Sequence, residues 1–171
     1  MKQVGIIGWR GMVGSVLLQR MVEENDFRDI AAHFFSTSSA GTVGPTIDGE
    51  SFILKDANSV SELADMDIII TCQGGDYTKA IYPALITHGW QGYWIDAASA
   101  LRMDEKACII LDPVNRTHID RAIQQGLKLF VGGNCSITLS LMGLAGLLKA
   151  DLIEWMSVMT YQSASGAGAK H

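Results

Sequence analysis

Val4-Gly5-Ile6-Ile7-Gly8-Trp9-Arg10-Gly11-Met12-Val13-Gly14, near the start of the 171-residue chain, decides the fold. Residues 4–7 are a short, largely apolar run of the kind that forms a strand buried on both faces. Gly8, Gly11 and Gly14 follow at three-residue spacing. Residues 12–24 then carry Val13, Val16, Leu17, Met21 and Val22 near helical spacing. Strand, glycine turn and helix in that order open an α/β fold of the Rossmann kind. The glycines let the backbone turn tightly. They also let a pyrophosphate approach the helix N-terminus, where N–H groups and the dipole favour an anion. The spacing is G-x-x-G-x-x-G rather than G-x-G-x-x-G, so a close-packed turn without a ligand stays as the other reading.

The same alternation continues along the chain. Strands are expected at residues 32–35, 52–54, 67–71, 93–96, 108–111, 129–131 and 155–161. Helices are expected at 60–64, 77–87, 119–125 and 136–149, and residues 36–49 read as a polar, glycine-bearing loop. Strands alternating with helices predict a mostly parallel sheet flanked by helices. An acidic residue on the second strand would hold a ribose 2′-hydroxyl. Here that strand ends in Ser36-Thr37-Ser38-Ser39 instead. Hydroxyls, with Arg10 nearby, favour a 2′-phosphate and hence NADP, against the plainer reading of a polar loop.

Composition narrows the function classes. Hydrophobic residues make up 48% and charged residues 18%, which supports a core and opposes disorder. Eighteen acidic against 13 basic residues give a net charge of −5, so no nucleic-acid partner is expected. Residues 129–148 contain no charge over a length that spans a bilayer. Gly132, Gly133 and Asn134 break that run, and it reads as strand, turn and buried helix, with no membrane role. Cys72, Cys108 and Cys135 cannot all pair within the chain, and no Cys-x-x-Cys pair occurs. A reducing cytoplasm and no metal are the expectations.

Gly133-Asn134-Cys135 lies between a strand and a helix, which places Cys135 at or near a helix start. Such a position favours the thiolate, the nucleophilic form, and offers backbone N–H groups to an oxyanion. An inert buried thiol is the alternative, and Cys108 fits that alternative better. Cys72 is intermediate, beside Gln73-Gly74-Gly75 at another turn facing the carboxyl end of the sheet. A nucleophilic thiol beside a dinucleotide suggests thiohemiacetal and thioester chemistry on an aldehyde. If phosphate releases the acyl group, an arginine is needed. Arg102 is the candidate, though it also reads as a surface residue near Asp104.

Taken together, these segments resemble the amino-terminal part of bacterial aspartate-β-semialdehyde dehydrogenases, most of all the Gram-negative branch. The resemblance rests on residues 4–15, Thr71-Cys72-Gln73-Gly74-Gly75-Asp76-Tyr77-Thr78, Gly92-Tyr93-Trp94-Ile95-Asp96-Ala97-Ala98-Ser99, Leu111-Asp112-Pro113-Val114-Asn115, Phe130-Val131-Gly132-Gly133-Asn134-Cys135 and Thr160-Tyr161-Gln162-Ser163-Ala164-Ser165-Gly166. It implies an NADP-dependent, phosphorylating enzyme of lysine, methionine and threonine biosynthesis, cytoplasmic and homodimeric. Such an enzyme reduces β-aspartyl phosphate to aspartate semialdehyde with release of phosphate. By the resemblance Cys135 is the nucleophile, Asn134 supports the reacting centre and Gln162 orients the substrate. Arg102 binds phosphate. Gly8, Arg10, Gly11, Met12, Val13, Thr37, Ser38, Gln73, Ser165 and Gly166 hold the cofactor.

The resemblance also implies two domains. Residues 1–134 form an NADP-binding Rossmann-like domain, and 135–171 begin an α+β catalytic and dimerisation domain. Family members are longer, and their general-base histidine and two substrate-binding residues have no counterpart here; His171 does not match. The chain is therefore expected to be a fragment with little activity alone, and the helix from Ser136 to leave an apolar patch. Two other readings stay open: an enzyme acting on N-acetylglutamyl phosphate, and a non-catalytic dinucleotide-binding or redox-sensing module.

Overall fold

The computed structural model describes residues 1–161. They form two compact units, Met1–Gly133 and a second that begins at Asn134.

The first unit is built on a parallel seven-stranded sheet. Its elements are β1 (Lys2–Ile7), α1 (Met12–Glu23), β2 (Ile30–Ser36), β3 (Val43–Ile47), β4 (Glu50–Ile53), β5 (Lys55–Asp56), α2 (Val60–Ala64), β6 (Ile68–Thr71), α3 (Gly75–Thr87), β7 (Tyr93–Asp96), β8 (Ala107–Ile110), α4 (Arg116–Gln124) and β9 (Leu129–Gly132). The strand order is β5-β2-β1-β6-β7-β9-β8. After β1 the chain runs outward to β2 and β5, then returns to lay β6 on the other side of β1. The order reverses there, and the carboxyl ends of β1 and β6 flank the crevice in which such sheets bind ligands.

Period-two alternation sorts the core. Val4, Ile6 and Phe34 pack on one face with Leu17, Leu18 and Met21 of α1. Ile7, Phe35, Ile69, Trp94 and Val131 pack on the other with Leu63 of α2 and Ile81 and Leu85 of α3. Register carries the first face across the sheet, from Ile6 to Ile70, Ile95 and Phe130, and Phe130 packs with Ala122 of α4. Helices thus cover both faces, as a parallel sheet requires. Within α1 the inward stripe is Gly14, Leu17, Leu18 and Met21. Val13, Val16 and Val22, expected inside from spacing, are 58%, 57% and 41% exposed.

Three expectations need correction. Residues 36–49 are not all loop, because β3 lies within them and pairs antiparallel with β4. Asp48 and Gly49 between them both have positive φ, 51° and 85°. This is the two-residue turn whose twist suits a hairpin, and Asp-Gly is its usual sequence. The helix expected at 136–149 is two helices, α5 (Cys135–Gly143) and α6 (Ala145–Lys149), with Leu144 capping both. Gly143 and Gly146 weaken the helical preference on either side of the break. Residues 155–161 form no strand: Trp155, Met159 and Tyr161 are 78%, 83% and 97% exposed. Alternating apolar residues do not make a strand without a neighbour to complete the hydrogen-bond ladder. Among the described residues no helix is long and apolar enough to cross a membrane. The uncharged run 129–148 is shared among β9, α5 and α6.

Candidate functional site

The turn after β1 is fixed by close approach. Gly8 has φ of +76°, and a Cβ there would lie 2.5 Å from the backbone carbon of Cys72 and 2.6 Å from the nitrogen of Gln73. A Cβ on Gly14 would lie 2.1 Å from the oxygen of Gly8. Gly11 differs: a Cβ there meets only Gly8 O, at 3.4 Å. Gly11 N donates to Gly8 O at 3.1 Å, and Gly11 caps α1 without a side chain. The first N–H groups of α1 therefore open at Met12 and Val13, both exposed, with no side chain across them. This cradle fits a pyrophosphate.

Two loops extend the crevice. Arg10 Nη2 donates to Ser36 Oγ at 3.1 Å and to Ser39 Oγ at 3.4 Å. Its guanidinium lies 5.5 Å from the centroid of the Trp9 ring. Gln73 Nε2, from the turn after β6, donates to Thr37 Oγ1 at 3.4 Å. Arg10, Thr37, Ser38 and Gln73 are thereby gathered along one edge. That edge presents hydroxyls and a guanidinium and no carboxylate. The residues fit a dinucleotide.

Asp96, at the end of β7, was not among the residues singled out from sequence. Its carboxylate is buried and accepts from Thr78 Oγ1 at 2.7 Å, Trp94 Nε1 at 3.2 Å and Ala98 N at 2.7 Å. It ties α3 to the loop that leads to Arg102. The only sequence signal was a carboxylate ending an apolar strand. Arg102 does not pair with Asp104. Its Nε donates to Gly132 O at 2.8 Å and its Nη2 to Gly133 O at 2.9 Å, so one edge of the fork holds the last carbonyls of the first unit.

In the second unit Cys135 is the first residue of α5 and is exposed. Asn134 caps that helix, its Oδ1 accepting from Ile137 N at 3.1 Å. Asn134→Ala is expected to speed amide exchange at Ile137 about fivefold, the equivalent of about 1 kcal/mol of cap. An unchanged exchange rate would show that the cap adds nothing. Gln162, Ser165 and Gly166 lie outside the described residues. Among the described residues no group of three His, Cys, Asp or Glu side chains is placed to hold a metal ion.

The other two thiols are less exposed than Cys135: Cys72 is half-buried and Cys108 buried. Burial pushes Cys72 up, with a smaller push from the Asp96 carboxylate, and burial pushes Cys108 up. Iodoacetamide at neutral pH is expected to label Cys135 first, then Cys72 as pH rises, and Cys108 only on unfolding; peptide mass spectrometry reads the order. Labelling of Cys72 or Cys108 before Cys135 would refute it. Both raised groups are neutral in the fold. Their contribution to stability is complete below the unfolded thiol pKa and is lost as pH rises through the folded values.

Fold and crevice define a dinucleotide-binding α/β domain. Residues 3–122 match the family described as "Semialdehyde dehydrogenase, NAD binding domain", and the chain belongs to that family. Over 99% of its length it is 51% identical to an aspartate semialdehyde dehydrogenase from Francisella tularensis, with a TM-score of 0.94, covering 47% of that chain. Two more distant structures share the fold. One is aspartate semialdehyde dehydrogenase II of Vibrio cholerae complexed with ASA, at 23% identity and TM-score 0.81, covering 99% of this chain and 49% of that one. The other is the Candida albicans aspartate semialdehyde dehydrogenase with NADP, at 18% and 0.65, covering 88% and 47%. The chain spans about half the length of these relatives.

Proposed function

We propose that this protein is an NADP-dependent, phosphorylating aspartate-semialdehyde dehydrogenase. The observation that carries the reading is an exposed thiol, Cys135, at the first position of a helix in a chain of this family. The Cys135 sulfur attacks the acyl carbon of β-aspartyl phosphate. The carbon–oxygen bond to phosphate breaks, inorganic phosphate leaves, and a thioester stays on the sulfur. NADPH, held by Gly8, Arg10, Gly11, Met12, Val13 and Gln73, would supply hydride chemistry at the thioester carbon. Breaking the carbon–sulfur bond of the resulting thiohemiacetal on Cys135 releases aspartate semialdehyde and returns the electron pair to the sulfur.

The chain's own residues prepare these steps. Gly8, Gly11, Met12 and Val13 present the backbone to a pyrophosphate. Arg10, Thr37 and Ser38 take the 2′-phosphate, and Gln73 borders the same crevice. Asn134 orders the start of α5. Arg102 binds the phosphate through the guanidinium edge that Gly132 and Gly133 do not use. Gln162 orients the substrate, and Ser165 and Gly166 border the cofactor. The same reading places the enzyme in the cytoplasm as a homodimer serving lysine, methionine and threonine biosynthesis.

The test mixes the protein with β-aspartyl phosphate and NADPH, following NADPH oxidation by absorbance and Cys135 acylation by mass spectrometry. Acylation at Cys135 supports the reading. NADP binding without acylation points instead to a non-catalytic dinucleotide module. Faster acylation by N-acetylglutamyl phosphate would move the assignment to that substrate.

A further inference from the structure

Ser36 stands apart from its neighbours in the hydroxyl-rich loop. Thr37 and Ser38 are exposed, as a ligand contact should be, whereas Ser36 is only 5% exposed. Its Oγ accepts from Ser38 N at 3.3 Å, Ser39 N at 3.1 Å and Arg10 Nη2 at 3.1 Å. A hydroxyl oxygen has two lone pairs. Three donors, one of them charged, therefore converge on an oxygen that can serve two of them well. Donors in excess of the acceptor suit an oxyanion, which has more lone pairs and binds charged donors more strongly than a hydroxyl.

We infer that Ser36 is the positioning residue of the 2′-phosphate subsite. Its buried oxygen is an internal acceptor that gathers the Arg10 guanidinium and the Ser38 and Ser39 N–H groups before a phosphate oxygen takes them over. The inference rests on the NADP reading of the crevice and adds a residue that need not touch the ligand. Without this oxygen the long Arg10 side chain spreads over more rotamers, and binding must gather it again. A dinucleotide lacking the 2′-phosphate does not call on Arg10 and is indifferent to the change.

Calorimetric titration of this chain with NADP and with NAD tests it. Ser36→Ala is expected to weaken NADP binding about tenfold, the scale of a hydrogen bond to a charged group, and to leave NAD within about twofold. Arg10→Met should remove the preference for NADP, and adding Ser36→Ala to it should change the preference no further. Where Ser36→Ala fails to fold by circular dichroism, the equally shaped pair Ser36→Thr and Ser36→Val makes the same comparison. The threonine variant should keep the preference and the valine variant should lose it. An unchanged preference, or equal weakening of both ligands, overturns the inference while the cofactor reading stands. Wild-type protein that does not prefer NADP overturns both.

Discussion

On the proposed reading, and in the whole enzyme, Cys135→Ser is expected to leave less than about a thousandth of the acyl-phosphate-dependent NADPH oxidation, because the covalent step loses its nucleophile. A serine hydroxyl at the start of α5 has the same place but stays protonated near neutral pH without a base to activate it. Neither other thiol substitutes. Cys108 is fully buried and Cys72 half-buried, and burial holds both in the neutral form. NADP affinity should be unchanged, since Arg10, Ser36, Thr37 and Gln73 all belong to the first unit. Stopped-flow absorbance and NADP titration on the same preparation separate the two effects. Activity within tenfold of wild type would exclude the thioester route. Loss of NADP binding alongside activity would mean that the substitution disturbs more than the sulfur.

Much of this arrangement was legible from sequence, for identifiable reasons. A strand buried on both faces needs an unbroken apolar run, and residues 4–7, 68–71 and 93–96 are largely of that kind. The turn after β1 was legible because Gly8, Gly11 and Gly14 sit at the strand-to-helix junction. The hairpin was missed although its signal was present: Asp48-Gly49 is a turn dipeptide, but the apolar residues of Val43–Ile47 are diluted by glycine, proline and threonine. Helix α5 was legible from composition, whereas its end at Gly143 depends on local backbone preference, which a long apolar run hides. Residues 155–161 carry strand-forming side chains, yet a strand is a pairing, and spacing says nothing about the partner.

The candidate site divides in the same way. Arg10 and Cys135 were legible because charge and helix position single them out. The grip of Arg102 on two carbonyls 30 and 31 residues away is long-range, and no local pattern encodes it. Ser36 was hidden by its neighbours: four consecutive hydroxyl residues read alike until burial separates the first from the next two. Resemblance supplied Gln162, Ser165 and Gly166, which lie outside the described residues.

Gly14→Ala is expected to destabilise the first unit by about 3 kcal/mol, near the upper end for overpacking, because the added carbon meets backbone rather than a movable side chain. The ideal Cβ lies 2.1 Å from Gly8 O, 2.6 Å from Trp9 Cα and 2.8 Å from Gly8 C. Relief requires α1 to back away from the strand end. That movement unseats Leu17, Leu18 and Met21 from the core around Phe34 and widens the cradle. Ordinary helix propensity predicts the opposite sign, since alanine exceeds glycine by about 1 kcal/mol in a helix interior, so the direction of the effect decides which force governs. Gly11→Ala is the matched comparison. Its backbone is extended, with φ of −71° and ψ of 169°, and its Cβ meets only one oxygen, at 3.4 Å. Its stability should stay within about 1 kcal/mol of wild type, the ordinary scale of a helix cap. NADP affinity should nonetheless fall, because the methyl group stands where the phosphates approach the uncapped helix start. Urea unfolding and NADP titration on both variants read the two properties separately. A stabilised Gly14→Ala protein would mean that the β1–α1 junction yields more easily than its close contacts imply. Undiminished NADP binding by Gly11→Ala would place the pyrophosphate away from this turn.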